Sequence, residues 1–192
     1  MTNSIPEFED SDCLLITGSN TTEGHPLIAT HVLRAKKKGA KIIVVDPRST
    51  QIARLADIHL SQRAGTDVAW LNGFMNVIIS EGLHNQAFID SRTENFEELK
   101  AAVADYTPER VEAITWVPKE KIIEAARLFA RTQPSCLHAR LGSGPQHVNA
   151  TQTMRAIAIL MALAGDIDVP GGNLVSGPRE LKGFRTHEVI AH

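Results

Sequence analysis

Two runs of apolar residues set the frame of this chain. Cys13-Leu14-Leu15-Ile16-Thr17 and Lys41-Ile42-Ile43-Val44-Val45 are continuous rather than alternating in polarity. Strands covered on both faces, as in parallel sheets flanked by helices, carry that pattern. Between them a helix is predicted over 26–38, with Pro26 suited to its first turn and Gly39 to its C-terminal cap. A short helix over 50–55 and a strand over 57–60 follow. Thr66 and Asp67 then open a long helix to residue 79, closed by Gly82.

Shorter helices are predicted over 85–91, 95–104 and 108–114, and a longer one from Pro118 to Arg131. The last buries Ile122, Ile123, Ala126, Leu128 and Phe129. A further strand over 135–141 leads into a glycine-containing loop, and a strongly apolar helix runs over 150–164. Alternating strands and helices predict a three-layer, doubly wound α/β domain over 1–165: a mostly parallel, Rossmann-like sheet with helices on both faces. From 166 to 192 the glycine-rich, charged sequence has no strong period, and it reads as an irregular tail or a connection to further chain.

Composition narrows the functional classes. The 192 residues are 43% hydrophobic and 22% charged, with a formal net charge of −2, so there is no basic face for nucleic acid. Lys36-Lys37-Lys38 is the one basic run, and it closes a predicted helix, where cations complement the dipole. The longest apolar stretch, 156–164, is too short to cross a bilayer, so no membrane insertion is expected. Met1-Thr2-Asn3-Ser4 has no signal-peptide character. Cys13 and Cys136 fall inside strands, which suits buried reduced thiols and a cytoplasmic location. Neither belongs to a cluster with metal-ligand spacing. Glu7, Glu9 and Asp10 read as a solvated face.

The candidate chemistry lies where apolar runs end. Ligands of open α/β sheets bind beyond the carboxyl ends of the strands, and three polar stretches stand there. The first, Gly18-Ser19-Asn20 through Glu23 and His25, is either a plain strand-to-helix turn or a loop whose N–H groups meet an anion. The second is Asp46-Pro47-Arg48. Asp46 stands 28 residues after Gly18, where nucleotide-binding folds place an acid for ribose hydroxyls, although a turn role ahead of Pro47 explains it equally. Arg48 faces a phosphate or pairs with a nearby acid. The third is Gly65-Thr66-Asp67, in which Asp67 caps a helix or accepts the adjacent N–H donors of a guanine edge. Gln146 and His147, after the last strand, would point into the same region. No catalytic triad, carboxylate pair or activated cysteine is legible.

At these same residues the chain resembles the molybdopterin oxidoreductases, the family of formate dehydrogenase and dimethyl sulfoxide reductase. The matching stretches run in order from Met1-Thr2-Asn3-Ser4-Ile5 through Gly18-Ser19-Asn20-Thr21-Thr22-Glu23, Val45-Asp46-Pro47-Arg48 and Gly65-Thr66-Asp67. They continue through Tyr106-Thr107-Pro108-Glu109 and Gly144-Pro145-Gln146-His147 to Asp168-Val169-Pro170-Gly171-Gly172-Asn173. The resemblance implies an internal domain that binds one molybdopterin guanine dinucleotide carrying molybdenum or tungsten. It places Gly18, Ser19, Asn20, Glu23 and His25 along the dinucleotide, and Asp46, Pro47 and Arg48 at its nucleoside end. Gly65, Thr66 and Asp67 also fall among the cofactor-binding residues, Asp67 at the guanosine, and Gln146 near the pterin.

In that family the cysteine or selenocysteine metal ligand, the adjacent histidine and the cysteines of an iron–sulfur cluster lie in parts this chain does not contain. The resemblance therefore implies a fragment that is inactive alone. Its partners are the remaining domains of a parent enzyme and electron-transfer subunits. Residues 1–131 look closest to formate dehydrogenases, which oxidise formate to carbon dioxide. From 135 onward the chain is more similar to relatives acting on sulfur compounds or acetylene, and Ser176 stands where formate dehydrogenases carry an arginine. A free-standing nucleotide-binding module without catalysis is the competing expectation.

Overall fold

The apolar runs form the centre of a parallel sheet. In the computed structural model, which describes residues 4–143 and 149–173, four strands lie in the order β3-β2-β1-β4: β1 (Cys13–Thr17), β2 (Lys41–Val45), β3 (Ile58–Leu60) and β4 (Ser135–Ala139). All three pairings are parallel, with Leu15 of β1 opposite Ile43 and Leu137.

Alternate side chains leave opposite faces of a strand, and here both faces are covered. On one face Leu14, Ile16, Ile42, Val44 and Cys136 meet Val32 and Ala35 of α2 (Pro26–Lys38) and Ile52 of α3 (Gln51–Leu55). On the other, Leu15, Ile43, Val45, Leu60 and Leu137 pack on four helices. These are α4 (Asp67–Ser80), α7 (Pro108–Thr115), α8 (Lys119–Arg131) and α9 (Ala150–Ala164). Trp70, Phe74 and Phe129 are the largest side chains in that layer. Each such apolar side chain removed from water contributes roughly 1.5–3 kcal/mol. The expected three-layer α/β architecture is thus the observed one. Two smaller helices, α5 (Gln86–Arg92) and α6 (Phe96–Val103), extend the second layer.

The order of the strands fixes where a ligand can enter. From β1 the chain winds outward through α2, β2 and α3 to β3, then crosses the opposite face and returns to β4 on the other side of β1. The loops after β1 and β4 therefore leave the sheet in opposite directions, the arrangement that opens a crevice at the carboxyl ends of the strands.

Local differences from the predicted elements have physical causes. Residues 21–24, expected as loop, form a single helical turn, α1 (Thr21–Gly24), because the Asn20 carbonyl accepts from the Glu23 and Gly24 N–H groups. β4 ends at Ala139 instead of 141, since Ser143 N–H turns back to the Arg140 carbonyl at 3.2 Å. The acidic N-terminal stretch is not a plain solvated face. Ile5–Asp10 forms a 3₁₀ turn that places Glu9 against α2. The Glu9 carboxylate accepts from His31 at 2.7 Å and Arg34 at 3.2 Å and lies 3.4 Å from Lys38. These contacts, His31 foremost, hold its pKa down at about 2.

The open edge of β4 is closed by irregular chain. Residues 166–173, the start of the expected tail, contain no helix or strand, yet they are built into the sheet. Asn173 is fully buried; its Oδ1 accepts from Leu137 N–H at 2.7 Å and its Nδ2 donates to the Ser135 carbonyl at 3.3 Å. One side chain thereby takes the place of a neighbouring strand. Asp166 accepts from both the N–H and the hydroxyl of Ser135 at 2.7 and 2.8 Å. Gly171, with φ +74, lies against the Asp10 carbonyl so closely that a Cβ would collide with it. Residues 174–192 of the expected tail lie outside the described residues.

Removing the Asn173 amide leaves a buried N–H and a buried carbonyl of β4 unpaired. Asn173→Ala is expected to lower unfolding free energy by about 2–4 kcal/mol, read from urea midpoints at constant slope. A loss below about half a kilocalorie per mole would mean that the edge is held by something else.

Candidate functional site

Four loops at the carboxyl ends of β1, β2, β3 and β4 meet around one cavity of about 200 Å³. Its walls come from Gly18, the Asp46-Pro47-Arg48 turn, Gln62, Ala64, Gly65, Asp67 and Gly142. Six residues of the expected site, Gly18, Asp46, Pro47, Arg48, Gly65 and Asp67, are thus brought together from stretches far apart in the chain. Ser19, Asn20, Glu23 and His25 follow on along the loop after β1, outside the cavity lining. Thr66 lies beside it as the N-cap residue of α4. Gln146 and His147 lie outside the described residues.

Gly18 is where the two diverging loops touch. Its φ is +58, a left-handed conformation, and a Cβ there would collide with the Ser143 backbone nitrogen and lie 2.6 Å from its hydroxyl. The Gly18 carbonyl accepts from Gly142 N–H at 3.0 Å, and a Cβ on Gly142 would approach Gly18 Cα to 3.0 Å. Backbone is therefore presented to the cavity without side chains. Next along, Ser19 is buried with its hydroxyl 2.9 Å from that of Thr21. His25, the residue preceding α2, accepts from Arg140 Nε at 2.9 Å.

Asp46 is 5% exposed at the tip of β2. Its Oδ1 accepts from Arg48 N–H at 2.8 Å, and the Arg48 Nε lies 3.7 Å away on a largely exposed side chain. The Asp46 carbonyl accepts from His59 Nε2 of β3 at 2.9 Å, which locks the turn to the neighbouring strand. Asp67, 6% exposed, begins α4. The cap position belongs to Thr66, but its hydroxyl donates to the Arg63 carbonyl at 2.6 Å instead of capping. Asp67 accordingly sits inside the first turn, where the helix dipole favours its negative charge. Two buried carboxylates thus line the cavity, and an ionised carboxylate offers hydrogen-bond acceptors only.

The region also holds residues that the sequence pattern had not singled out. Gln62 is one, buried just beyond β3. The cue was faint: a polar residue two positions after a three-residue strand, one position further from β3 than Asp46 is from β2. A larger cavity of about 390 Å³ lies between α5, α6 and α9, but it is mainly apolar and remote from the strand ends. Cys13 and Cys136 are buried in the sheet, and burial pushes both thiols up to about 12. Neither is poised as a nucleophile or a ligand.

A family model for molybdopterin oxidoreductase matches residues 1–176. The chain belongs to that family. It is 40% identical over 185 residues to formate dehydrogenase H of Escherichia coli, covering 95% of this chain and 26% of that protein. It is 43% identical over 185 residues to the alpha subunit of F420-dependent formate dehydrogenase of Methanocaldococcus jannaschii, covering 95% of this chain and 27% of the relative. Among solved structures it superposes on acetylene hydratase from Pelobacter acetylenicus with a TM-score of 0.81 and 37% identity, over 86% of this chain and 23% of that one. The chain thus spans about a quarter of the length of these relatives.

Two outcomes follow from the geometry around this cavity. Gly18→Ala combines a strained φ with a backbone collision, so a loss of about 1–3 kcal/mol in unfolding free energy is expected; an unchanged urea midpoint would contradict the close approach. The second concerns His138, at the end of β4 against Phe8. Burial, with Arg140 and His25 nearby, lowers its pKa from 6.5 to about 4. The unfolded chain therefore binds a proton that the folded chain refuses between those values. The stability is fully present above pH 6.5 and is lost as pH falls toward 4. His138→Leu should lose less stability than the parent on going from neutral pH into that window, and equal losses would refute the assignment.

Proposed function

We propose that this chain is the molybdopterin guanine dinucleotide-binding segment of a molybdenum or tungsten oxidoreductase whose parent oxidises formate to carbon dioxide. The observation that carries the reading is the convergence of Asp46 and Asp67, both buried, on one cavity walled by side-chain-free backbone at Gly18. A carboxylate suits the adjacent N1–H and N2–H donors of guanine, and Asp67 is assigned to them. Asp46 is assigned to ribose hydroxyls and Arg48 to a phosphate. The Gly18–Asn20 backbone and the residues on to His25 follow the dinucleotide, and Gln146 serves its pterin end.

The cavity, at about 200 Å³, is smaller than the roughly 300–1,000 Å³ that encloses a drug-sized ligand. That size fits the nucleoside end of a longer molecule. When bound, the cofactor's metal supplies the two-electron chemistry, while this chain binds and orients. Any iron–sulfur cluster belongs to other parts of the parent. The partners are the parent's remaining domains and electron-transfer subunits, in keeping with relatives named as alpha subunits. Unpaired thiols at Cys13 and Cys136 favour the reducing cytoplasm, and among the described residues no helix is long and apolar enough to cross a membrane. The likeness to acetylene hydratase favours a second reading, a parent acting on acetylene; formate turnover by the parent separates the two.

Nucleotide titrations of the chain, followed by NMR at millimolar ligand, test the proposal. GDP is expected to bind in preference to ADP, and the double variant D46A/D67A to lose at least about tenfold in affinity, or about 1.4 kcal/mol. Equal affinity for both nucleotides, or full retention by the double variant, would remove the guanine reading. The chain by itself is expected to reduce no artificial acceptor with formate, because neither buried cysteine can serve as a metal ligand; metal-dependent turnover would overturn the fragment reading.

A further inference from the structure

One polar group in the cavity wall is left without a function by the assignments above. Gln62 is 5% exposed and lines the cavity together with Asp46, Gly65 and Asp67. Its side-chain Oε1 is buried and has no hydrogen-bond partner. The backbone around it is held firmly on both sides. Ser61 Oγ donates to the Pro47 carbonyl at 3.0 Å, and Arg63 N–H donates to the Thr115 carbonyl at 2.8 Å. A buried acceptor without a donor destabilises the protein that carries it. An aliphatic side chain of similar length would fill the same space without that cost.

We infer that Gln62 is a specificity-determining residue of the nucleotide site, its amide oxygen accepting a hydrogen bond from a donor group of the bound nucleoside. This role rests on the guanine-nucleotide reading and deepens it. Asp46 and Asp67 already make the site acceptor-rich, and Gln62, a residue of the same wall, has an uncharged acceptor still unpaired. Guanosine carries two kinds of donor that can meet it, the exocyclic 2-amino group and the ribose hydroxyls. A site whose polar groups are left unpaired by a ligand lacking the donor discriminates strongly against that ligand.

The experiment compares the unsubstituted chain with Q62L and Q62M, using GDP, IDP (no 2-amino group) and 2′-deoxy-GDP as probes. Affinity is read by NMR titration and folding by the thermal midpoint. Both variants are expected to keep or raise the midpoint, since each removes the orphan acceptor, and to bind GDP about five- to tenfold more weakly. The unsubstituted chain should prefer GDP over IDP if the amine is the partner, or over 2′-deoxy-GDP if a ribose hydroxyl is. In the variants that one preference should shrink, the part owed to Asp67 or Asp46 remaining. If Q62L and Q62M bind GDP as the unsubstituted chain does while D67A binds it weakly, the guanine reading stands and the role of Gln62 falls. A lowered midpoint in both variants together with uniform weakening across the three nucleotides marks a structural role and overturns the inference. If the unsubstituted chain binds no GDP at millimolar concentration, both readings fall together.

Discussion

Burial of the central strands on both faces is the constraint from which the rest of this structure follows. Side chains of β1 and β2 alternate between two apolar layers, and each layer must be covered by helices. Once both faces and the pairing edges are occupied, the strand ends are the places where polar groups can gather without penalty. At the carboxyl ends the loops leave the sheet, and the polar groups that line the candidate site are found there. The stability of the sheet and the position of the site are therefore two consequences of one packing arrangement.

The outer edge of β4 shows how the same constraint is met where no fifth strand is present among the described residues. Asn173 and Asp166 supply side-chain groups to Ser135 and Leu137, so the edge is satisfied by irregular chain. β4 flanks β1 on its other side, and the loop that follows β4 brings Gly142 onto Gly18. A residue 36 positions after Leu137 is thereby tied to the strand whose following loop lines the cavity. Residues 166–173 look featureless in sequence because their work is done by hydrogen bonds to a distant strand, which leave no local period.

Much of the candidate site is legible in the sequence, for reasons that differ between residues. Asp46 and Asp67 stand at the ends of recognisable elements, and end positions are what an α/β sheet offers a ligand. Their convergence is expected from parallel strands alone. Gln62 is not legible, since nothing in the sequence distinguishes a buried glutamine from a solvated one after so short a strand. Glu9 escapes the sequence for a related reason: its partners, His31, Arg34 and Lys38, lie on a helix that only the three-dimensional packing brings beside it.

The sequence by itself determined the architecture and the family. Continuous β-branched runs separated by amphipathic helices admit few arrangements besides a covered parallel sheet, and the ordered motifs along the chain mark a molybdopterin oxidoreductase. Only the tertiary structure decided which polar residues share one cavity and that the buried Gln62 amide oxygen lacks a partner. It also decided that Gly18 must be glycine because another segment's backbone occupies the space of its side chain. Periodicity reports which face of an element is buried, a property of neighbouring residues. Contacts between loops depend on the relative placement of elements far apart in the chain, and no local pattern encodes that distance.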